Sequence, residues 1–254
     1  MAVFKLENVE DLYEIGDVLG SGHFGQVRAV RERATGSRWA GKFVKLQKSP
    51  SSRLGLERQA VEREVEILQA LLHPNVMALR DVFESRAEVV LIVELISGGE
   101  LFDFIAEKES LSETEAIGFL TQILQGLSHM HGKNIAHFDL KPENIMLSEK
   151  DVPQPNIKII DFGLAQRLPP GGEYRSIAGT PQYRSEQWNS PGNKAIGTVN
   201  EWLVAGCGIT TLFDFTVRWC TDAPGNIAAR GLASLATERE LLKVAVISAT
   251  AHTC

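Results

Sequence analysis

Two short motifs carry the residues whose types suit phosphoryl-transfer chemistry. Residues 137–144 read H-F-D-L-K-P-E-N, and the triplet D-F-G begins seventeen residues after Asn144, at Asp161. A carboxylate such as Asp139 can accept the proton of an attacking hydroxyl group, while the side-chain oxygens of Asn144 and Asp161 are ligands of the type that Mg²⁺ prefers. Lys141 follows Asp139 closely enough to reach the phosphoryl group. The motifs therefore predict metal-dependent transfer of phosphate to a hydroxyl group.

A glycine-rich segment precedes these motifs. Residues 19–27 read L-G-S-G-H-F-G-Q-V, and glycine permits backbone to lie close to phosphate groups. The same glycine spacing occurs in dinucleotide-binding sites, but the alternating residues at 13–18 and 27–31 predict a β-hairpin rather than a strand followed by a helix. We therefore interpret the segment as a phosphate-covering loop. Its candidate nucleotide-binding residues are Leu19, Gly20, Gly22, Gly25 and Val27.

A lysine that could bind phosphate lies on the next predicted strand. Residues 39–44 read W-A-G-K-F-V, and Lys42 lies fifteen residues after Val27. A lysine on a strand is usually only solvated, yet this spacing favours a phosphate-binding role. Such a lysine needs a carboxylate to hold it toward the α- and β-phosphates of a nucleotide.

That carboxylate is predicted to come from a helix over residues 57–72. Apolar residues recur there at helical spacing, which predicts one buried face; they are Val61, Val65, Leu68 and Leu72. Glu62, Glu64 and Glu66 are all candidates by charge. We predict that Glu64, which directly precedes the apolar Val65, pairs with Lys42. The other two glutamates are predicted to be solvated.

A continuous apolar run at residues 89–94 predicts a buried strand, which the sequence S-G-G at 97–99 ends. In this segment an adenine ring would hydrogen-bond to backbone groups, so the candidates are assigned by position. The backbone candidates are Glu94 and Ile96. Ala40 and Met146 are candidate apolar walls on the two sides of the purine, and either could equally belong to the core.

Glu100 follows this segment and admits three interpretations. Its carboxylate could meet the ribose hydroxyl groups or bind a basic residue of a substrate. It could also simply begin a helix, where negative charge is favourable. The residues alone leave these alternatives open.

In order and spacing these motifs resemble those of the protein kinases, and the lysine within D-L-K-P-E-N is typical of serine/threonine kinases. Further strings resemble one group of them, the death-associated protein kinases. These strings are F-D in place of R-D at 138–139, G-G-E-L-F-D-F-I-A-E-K-E-S-L at 98–111 and I-A-H-F-D-L-K-P-E-N-I-M-L at 135–147. The resemblance covers residues 3–183 and does not extend to 184–254.

The resemblance implies a serine/threonine kinase that uses ATP and Mg²⁺ and acts in cell-death signalling. It carries over the functional residues Lys42, Glu64, Asp139, Asn144 and Asp161. In many kinases an arginine at the position of Phe138 pairs with a phosphorylated activation loop. Because that arginine is missing, we expect activity not to depend on phosphorylation of Tyr174 or Ser176.

The predicted fold class is α+β, with the two-lobed architecture of a protein kinase. Residues 1–94 are assigned to a complete N-lobe with an antiparallel sheet and one helix, and residues 95–183 to the hinge and the upper part of a mainly helical C-lobe. Residues 184–254 are assigned to a non-kinase tail that we expect to be poorly ordered. A helix is predicted to begin at Ser112, because Ser112 and Glu115 form a capping-box pattern. The sequence H-P-N-V at 73–76 is interpreted as a turn.

The composition changes after residue 183. The A-P-E motif expected after G-T-P-Q-Y at 179–183 is absent, all 3 cysteines lie beyond that point, and the net charge of −6 belongs to residues 1–183. Because the tail replaces the expected lower C-lobe, a second hypothesis is a catalytically dead nucleotide-binding or decoy isoform, or an unstable product. Because the expected lower C-lobe motifs are missing from the sequence, we expect binding of an ATP analogue to be weak or absent and peptide phosphorylation to be undetectable.

Further features of the composition limit which partners and which cellular location are expected. The N-terminus lacks an apolar signal region and residues 1–183 contain no cysteine, which predicts a cytoplasmic protein. Acidic net charge argues against nucleic-acid binding, and the apolar runs are too short to span a membrane. No basic amphipathic helix of the calmodulin-binding type follows the kinase-like region. The predicted partner is a protein with a serine or threonine acceptor.

Overall fold

The computed structural model describes residues 4–22, 25–47, 55–108, 112–152 and 155–168. The tail 184–254 with its expected poor order, the segment 179–183, Tyr174 and Ser176 therefore lie outside the described residues. The described chain forms two compact units. The first contains residues up to position 97 except 73–76, and the second contains 73–76 and the residues from position 98 onward.

A five-stranded antiparallel sheet forms the first unit. Its spatial order is β1-β2-β3-β5-β4. The strands are β1 (Tyr13–Gly22), β2 (Gly25–Glu32), β3 (Arg38–Lys45), β4 (Leu79–Glu84) and β5 (Glu88–Glu94), and the helices are α1 (Val9–Leu12) and α2 (Arg58–Ala70). The predicted hairpin, the predicted lysine-bearing strand and the predicted buried strand are all confirmed. Register pairs β5 with β3 on one side and β4 on the other, which makes β5 an interior strand.

The core of the first unit lies on both faces of β5. Residues 89–93 are all buried, and because successive side chains of a strand point to opposite faces, both faces must be covered. One apolar cluster consists of Val9, Tyr13, Val30, Phe83, Val90 and Ile92. Helix α2 contributes a second set of buried side chains and packs against β4.

Helix α2 ends at Ala70, two residues before the predicted end. Val61, Val65 and Leu68 are buried as predicted, but Leu72 is 85% exposed. The backbone leaves the helix at Leu71, whose N–H donates to the carbonyl oxygen of Leu68, and Leu71 itself is buried. The prediction for Leu72 was wrong because helical periodicity no longer sets the direction of a side chain beyond the helix end.

The second unit combines two helices with two small ladders. The elements are α3 (Leu101–Glu107), α4 (Glu113–His131), β6 (Ile135–Ala136), β7 (Ile145–Leu147), β8 (Ile157–Ile159) and β9 (Gln166–Arg167). Strand β6 pairs with β9 and β7 pairs with β8, both antiparallel. A 3₁₀ turn at Pro142–Asn144 directly precedes β7.

Helix α4 begins with the predicted capping box. The Ser112 hydroxyl accepts the N–H of Glu115 at 3.3 Å, and the Glu115 carboxylate accepts the N–H of Ser112 at 3.0 Å. Both donors belong to a helix start, where intrahelical partners are missing. Among the described residues, no helix combines the length and the apolar character needed to cross a membrane.

The turn at 73–76 fastens α4 to β8. The Asn75 amide nitrogen donates to Gln122 Oε1 at 3.0 Å and to the carbonyl oxygen of Ile157 at 3.1 Å, and the Asn75 carbonyl accepts the N–H of Ile159 at 2.9 Å. Asn75 is 4% exposed. These bonds satisfy its polar groups in the interior, which explains why a polar side chain can be buried there.

Two histidine side chains stack where this turn meets α4. The ring centres of His73 and His129 lie 5.0 Å apart, with 29° between the ring planes. Burial lowers the pKa of both imidazoles, and positive charge adds to the effect, from His129 and Lys158 at His73 and from Lys133 at His129. Folding therefore disfavours the protonated forms of both side chains.

We expect acidification to weaken the fold through this histidine pair. An unfolded histidine titrates near pH 6.5, and the folded pKa is lower, so the unfolded chain binds more protons as the pH falls. The free energy of unfolding is therefore not reduced by these histidines above about pH 6.5, and it falls as the pH drops below that value. Urea unfolding between about pH 7.5 and about pH 5 should therefore show a smaller acid-induced loss for His129→Gln than for the parent chain. Parallel pH curves for the two proteins would contradict the expectation.

Candidate functional site

The lysine and glutamate predicted to pair are in contact in the first unit. Lys42 Nζ lies 2.6 Å from Glu64 Oε1, which joins β3 to α2. Glu64 is 3% exposed, and a carboxylate this buried requires a charged or hydrogen-bonding partner. Glu62 instead pairs with Arg58, and Glu66 is exposed. The geometry thus agrees with the choice of Glu64, while the phosphate-binding role of Lys42 stays a prediction.

The strand register aligns the glycine-rich segment with this lysine. Gly20 pairs with Val27 across β1 and β2, and Val27 pairs with Lys42 across β2 and β3. Leu19, next to Gly20, is 52% exposed. A large apolar side chain that exposed is available to contact a bound molecule.

The glycines of this segment differ in what surrounds them. A Cβ added to Gly20 or Gly22 would meet no protein atom within 4 Å, so packing does not require glycine at either position. At Gly25 a Cβ would collide with the carbonyl oxygen of Phe43, and the pairing of β2 with β3 therefore requires glycine there. The open space at Gly20 and Gly22 fits a backbone that approaches phosphate groups closely.

The predicted adenine-binding segment begins at the end of β5. The N–H of Glu94 donates to the carbonyl oxygen of Ala78 at 2.9 Å, so this donor is already used within the first unit. Ile96 follows β5 in a stretch without regular structure and is half-buried. Ala40 is 6% exposed, on β3 opposite Val93. Its burial is consistent with both interpretations of Ala40, as a purine wall and as a core residue.

The predicted catalytic carboxylate lies in a hydrogen-bonded loop of the second unit. Asp139 is 8% exposed, and Lys141 Nζ donates to its Oδ2 at 2.9 Å. Burial lowers the pKa of Lys141, but the hydrogen bond to Asp139 and the charges of Asp139 and Asp161 outweigh it, so the net pKa shift is upward. Lys141 therefore stays cationic at neutral pH beside Asp139.

His137 connects this loop to the strand before D-F-G. Its Nδ1 accepts the N–H of Asp139 at 3.2 Å, which places the ring proton on Nε2, 2.9 Å from the carbonyl oxygen of Ile160. Burial lowers the pKa of His137 and favours this neutral form. No role was predicted for His137, although its position directly before the loop was an available signal.

A backbone hydrogen bond joins the two segments that carry the predicted metal ligands. The Asn144 amide nitrogen donates to the Asp139 carbonyl oxygen at 2.8 Å, which leaves the amide oxygen as the group suited to a cation. The N–H of Ile160, the residue before Asp161, donates to the Asn144 carbonyl oxygen at 3.0 Å. Asp161 has a φ of 60°, an uncommon conformation for a residue other than glycine. An amide oxygen and a carboxylate form a donor set that fits Mg²⁺.

Phe138, between His137 and Asp139, also adopts the left-handed backbone conformation, with a φ of 61°. This conformation is a genuine exception for a bulky side chain. The ring is buried, so packing holds the strained backbone in place. Such strain at a loop with candidate catalytic residues is a feature of functional sites.

Glu100 is the residue before α3 and makes no side-chain capping bond. It pairs by backbone with Met146, which is half-buried. Burial raises the pKa of Glu100, and the negative charges of Asp103 and Glu143 raise it further. Glu100 thus stands at the start of α3, the position that the helix-start interpretation gave it, while the role of its carboxylate stays a prediction.

The sequence of this chain is similar to those of known protein kinases. Residues 13–248 match the family model described as "Protein kinase domain", and this match continues past residue 183, where the sequence analysis ended the resemblance. "Death-associated protein kinase 2" of Mus musculus and of Homo sapiens are each 56% identical over 183 residues, which is 72% of this chain and 50% of theirs. The chain thus spans about half the length of these curated relatives.

A muscle kinase and a solved structure of a kinase region are also similar to this chain. "Myosin light chain kinase, smooth muscle" of Gallus gallus is 41% identical over 178 residues, 70% of this chain and 9% of that protein. The solved "Twitchin kinase region from C.elegans (Fn31-NL-kin-CRD-Ig26)" has a TM-score of 0.61 and 40% identity, covering 68% of this chain and 30% of that one. The fold and the order of the motifs in this chain therefore agree with those of the kinases to which it is similar.

Proposed function

Because the chain belongs to the protein kinase family, and its relatives place it with the death-associated protein kinases, we propose that it transfers the γ-phosphoryl group of ATP to serine or threonine residues of proteins. The observation that carries the proposal is the almost buried Asp139, held by both Lys141 and Asn144. The names of the relatives support a role in cell-death signalling. The cytoplasmic location predicted above belongs to the same proposal.

In the first unit, Lys42 binds the α- and β-phosphates and Glu64 holds its ammonium group in place. The 2.6 Å contact and the burial of Glu64 support these roles. The glycine-rich segment covers the phosphates, and the open space at Gly20 and Gly22 supports this. The further proposed nucleotide-binding residues of this unit are Leu19, Val27, Ala40, Glu94 and Ile96.

In the second unit, Asp139 accepts the proton of the serine or threonine hydroxyl. The hydroxyl oxygen attacks the γ-phosphorus, and the bond between the γ-phosphorus and the oxygen of the ADP leaving group breaks. Lys141 donates to an oxygen of the group in transfer, and its raised pKa keeps it charged for that purpose. Asn144 and Asp161 would hold Mg²⁺, which neutralises negative charge on the phosphates when bound. His137 keeps the Asp139 backbone in position through its neutral ring.

The preferred substrate has a basic residue near the acceptor. Burial raises the pKa of Glu100, and the negative charges of Asp103 and Glu143 raise it further, which shows that Glu100 has acidic surroundings in the second unit. A lysine or arginine of the substrate would offset that charge. A contact between Glu100 and the ribose hydroxyl groups remains the second interpretation of this carboxylate.

Two measurements on the purified full chain test the proposal. The first is the shift in melting temperature caused by Mg²⁺ and a non-hydrolysable ATP analogue, because a ligand that binds only the folded state raises that temperature. The second is phosphate transfer to a serine peptide with basic residues, compared with Asp161→Ala. A thermal shift together with transfer that Asp161→Ala abolishes supports the kinase.

A second function is nucleotide binding without phosphate transfer. It is favoured by the identity to the curated relatives, which extends over only 183 residues, 72% of the chain. A thermal shift without transfer supports this second function and contradicts the first. The absence of both signals contradicts both functions and supports the unstable product.

A further inference from the structure

The start of helix α2 is fastened to the end of β4 by an arginine. Arg58, the first residue of α2, donates from Nη2 to Glu84 Oε2 at 2.8 Å and from Nη1 to Glu84 Oε1. Its Nε donates to Glu62 Oε1 at 2.7 Å, one helical turn further along α2. All three nitrogens of the guanidinium therefore donate a hydrogen bond. Bidentate arginine–carboxylate pairs have a defined geometry that single-point ion pairs lack.

The N-terminal residues complete this attachment. The N–H of Lys5 donates to the carbonyl oxygen of Val82 at 2.8 Å, and the Lys5 carbonyl accepts the N–H of Glu84 at 2.9 Å. The segment thus pairs with β4 at the edge of the sheet. The Phe4 ring lies 5.9 Å from the Arg58 guanidinium, within the range of a cation–π contact. Glu84 is therefore held through its backbone while its side chain holds Arg58.

Arg58 and Glu64 lie on different sides of the same helix. Six residues separate them, which is about 9 Å along the axis and about 240° of rotation around it. The contact of Arg58 with β4 and the contact of Glu64 with Lys42 consequently hold α2 from two directions. A rotation of α2 that breaks the contact between Arg58 and Glu84 would therefore also displace Glu64 from Lys42.

We propose that Arg58 is a positioning residue, which acts through Glu84 to set the rotation of α2 that keeps Glu64 on Lys42. The catalytic consequence rests on the proposed function, whereas the coupling between the two contacts does not. The segment around Phe4 and Lys5 supports the clamp by fixing Glu84. The sequence shows only part of this, the Arg58–Glu62 spacing of four residues.

Chemical labelling of lysine measures this coupling without nucleotide or turnover. The rate of acetylation of Lys42 by an amine-reactive ester is followed by mass spectrometry in the full chain. Glu64→Gln sets the rate for a lysine that has lost its carboxylate. We expect Arg58→Met to raise the Lys42 rate about threefold toward that value, the scale set by loss of a partly exposed ion pair. The charge exchange Arg58→Glu with Glu84→Arg should restore the slow rate.

Arg80 offers a matched control in the same unit. Its side chain is 47% exposed against 50% for Arg58, it pairs with the 15% exposed Glu32, and it lies over the Trp39 ring. Arg80→Met should therefore cost similar stability without changing the Lys42 rate. Equal Lys42 rates in the two methionine variants would overturn the proposal. A rise in Arg58→Met that is matched at Lys133 and Lys158, both in the second unit, would also overturn it, because it would report general unfolding.

Discussion

Replacing Asp139 with asparagine is expected to reduce phosphate transfer to a serine peptide by about 10²- to 10⁴-fold, the usual contribution of a positioned general base. Asparagine keeps the shape of the side chain and one oxygen that can accept from Lys141, but it cannot take the hydroxyl proton. The reaction would be followed with radiolabelled ATP at saturating peptide.

The loss should concern the transfer step and not nucleotide binding, because Asp139 lies in the loop assigned to the acceptor hydroxyl. The thermal shift caused by Mg²⁺ and an ATP analogue should therefore be the same in parent and variant. Asp151→Asn is the matched control, since it makes the same chemical change at an exposed position of the second unit. If Asp139→Asn retained the parent rate, another group would have to accept the proton.

Replacing Leu91 with alanine should lower the free energy of unfolding by about 2–5 kcal/mol, the cost of removing a fully buried leucine side chain. Leu91 has no exposed surface and lies on the interior strand β5, opposite Lys42 on β3 and Val82 on β4. The cavity left behind would lie on one face of the sheet, where the hydrogen-bonded register of β3, β5 and β4 keeps their backbones from moving to fill it. Urea unfolding followed by circular dichroism measures the change.

Leu72→Ala is the control for this substitution, because it removes the same atoms from a side chain that is 85% exposed. Its cost should stay within about 0.5 kcal/mol, as for most surface changes. Equal costs at the two positions would mean that Leu72 packs as the helical periodicity predicted and not as observed.

Several elements of both units could be predicted because each depends on residues that are close in the sequence. The alternation in 13–18 and 27–31, the continuous apolar run at 89–94 and the capping pattern at Ser112 are local signals with periods set by strand and helix geometry. The choice of Glu64 over its neighbours rested on the match of E-R-E-V-E-I-L to the kinase helix pattern, in which the glutamate directly precedes the buried Val65. The structure agrees with each of these predictions.

The failure at Leu72 marks the limit of a local signal. The apolar pattern of α2 continues for two residues after the helix has ended, and neither glycine nor proline stands between Ala70 and Leu72 to announce the end. Soon after the helix end the chain enters the turn at 73–76, whose Asn75 is bound by residues of α4 and β8 far along the chain. No pattern within the helix records that interaction.

The sequence by itself predicted the proposed chemistry, because phosphoryl transfer needs a carboxylate, a lysine and oxygen ligands, and these types stand at Asp139, Lys141, Asn144 and Asp161. It also determined the strands and helices that carry them. Only the tertiary structure decided which of many similar polar groups meet: Arg58 with Glu84, 26 residues apart, and Asn75 with the carbonyl oxygen of Ile157, 82 residues apart. The physical reason is that periodicity sets the direction of a side chain within its own element, whereas its partner depends on the register and packing of elements distant in the chain.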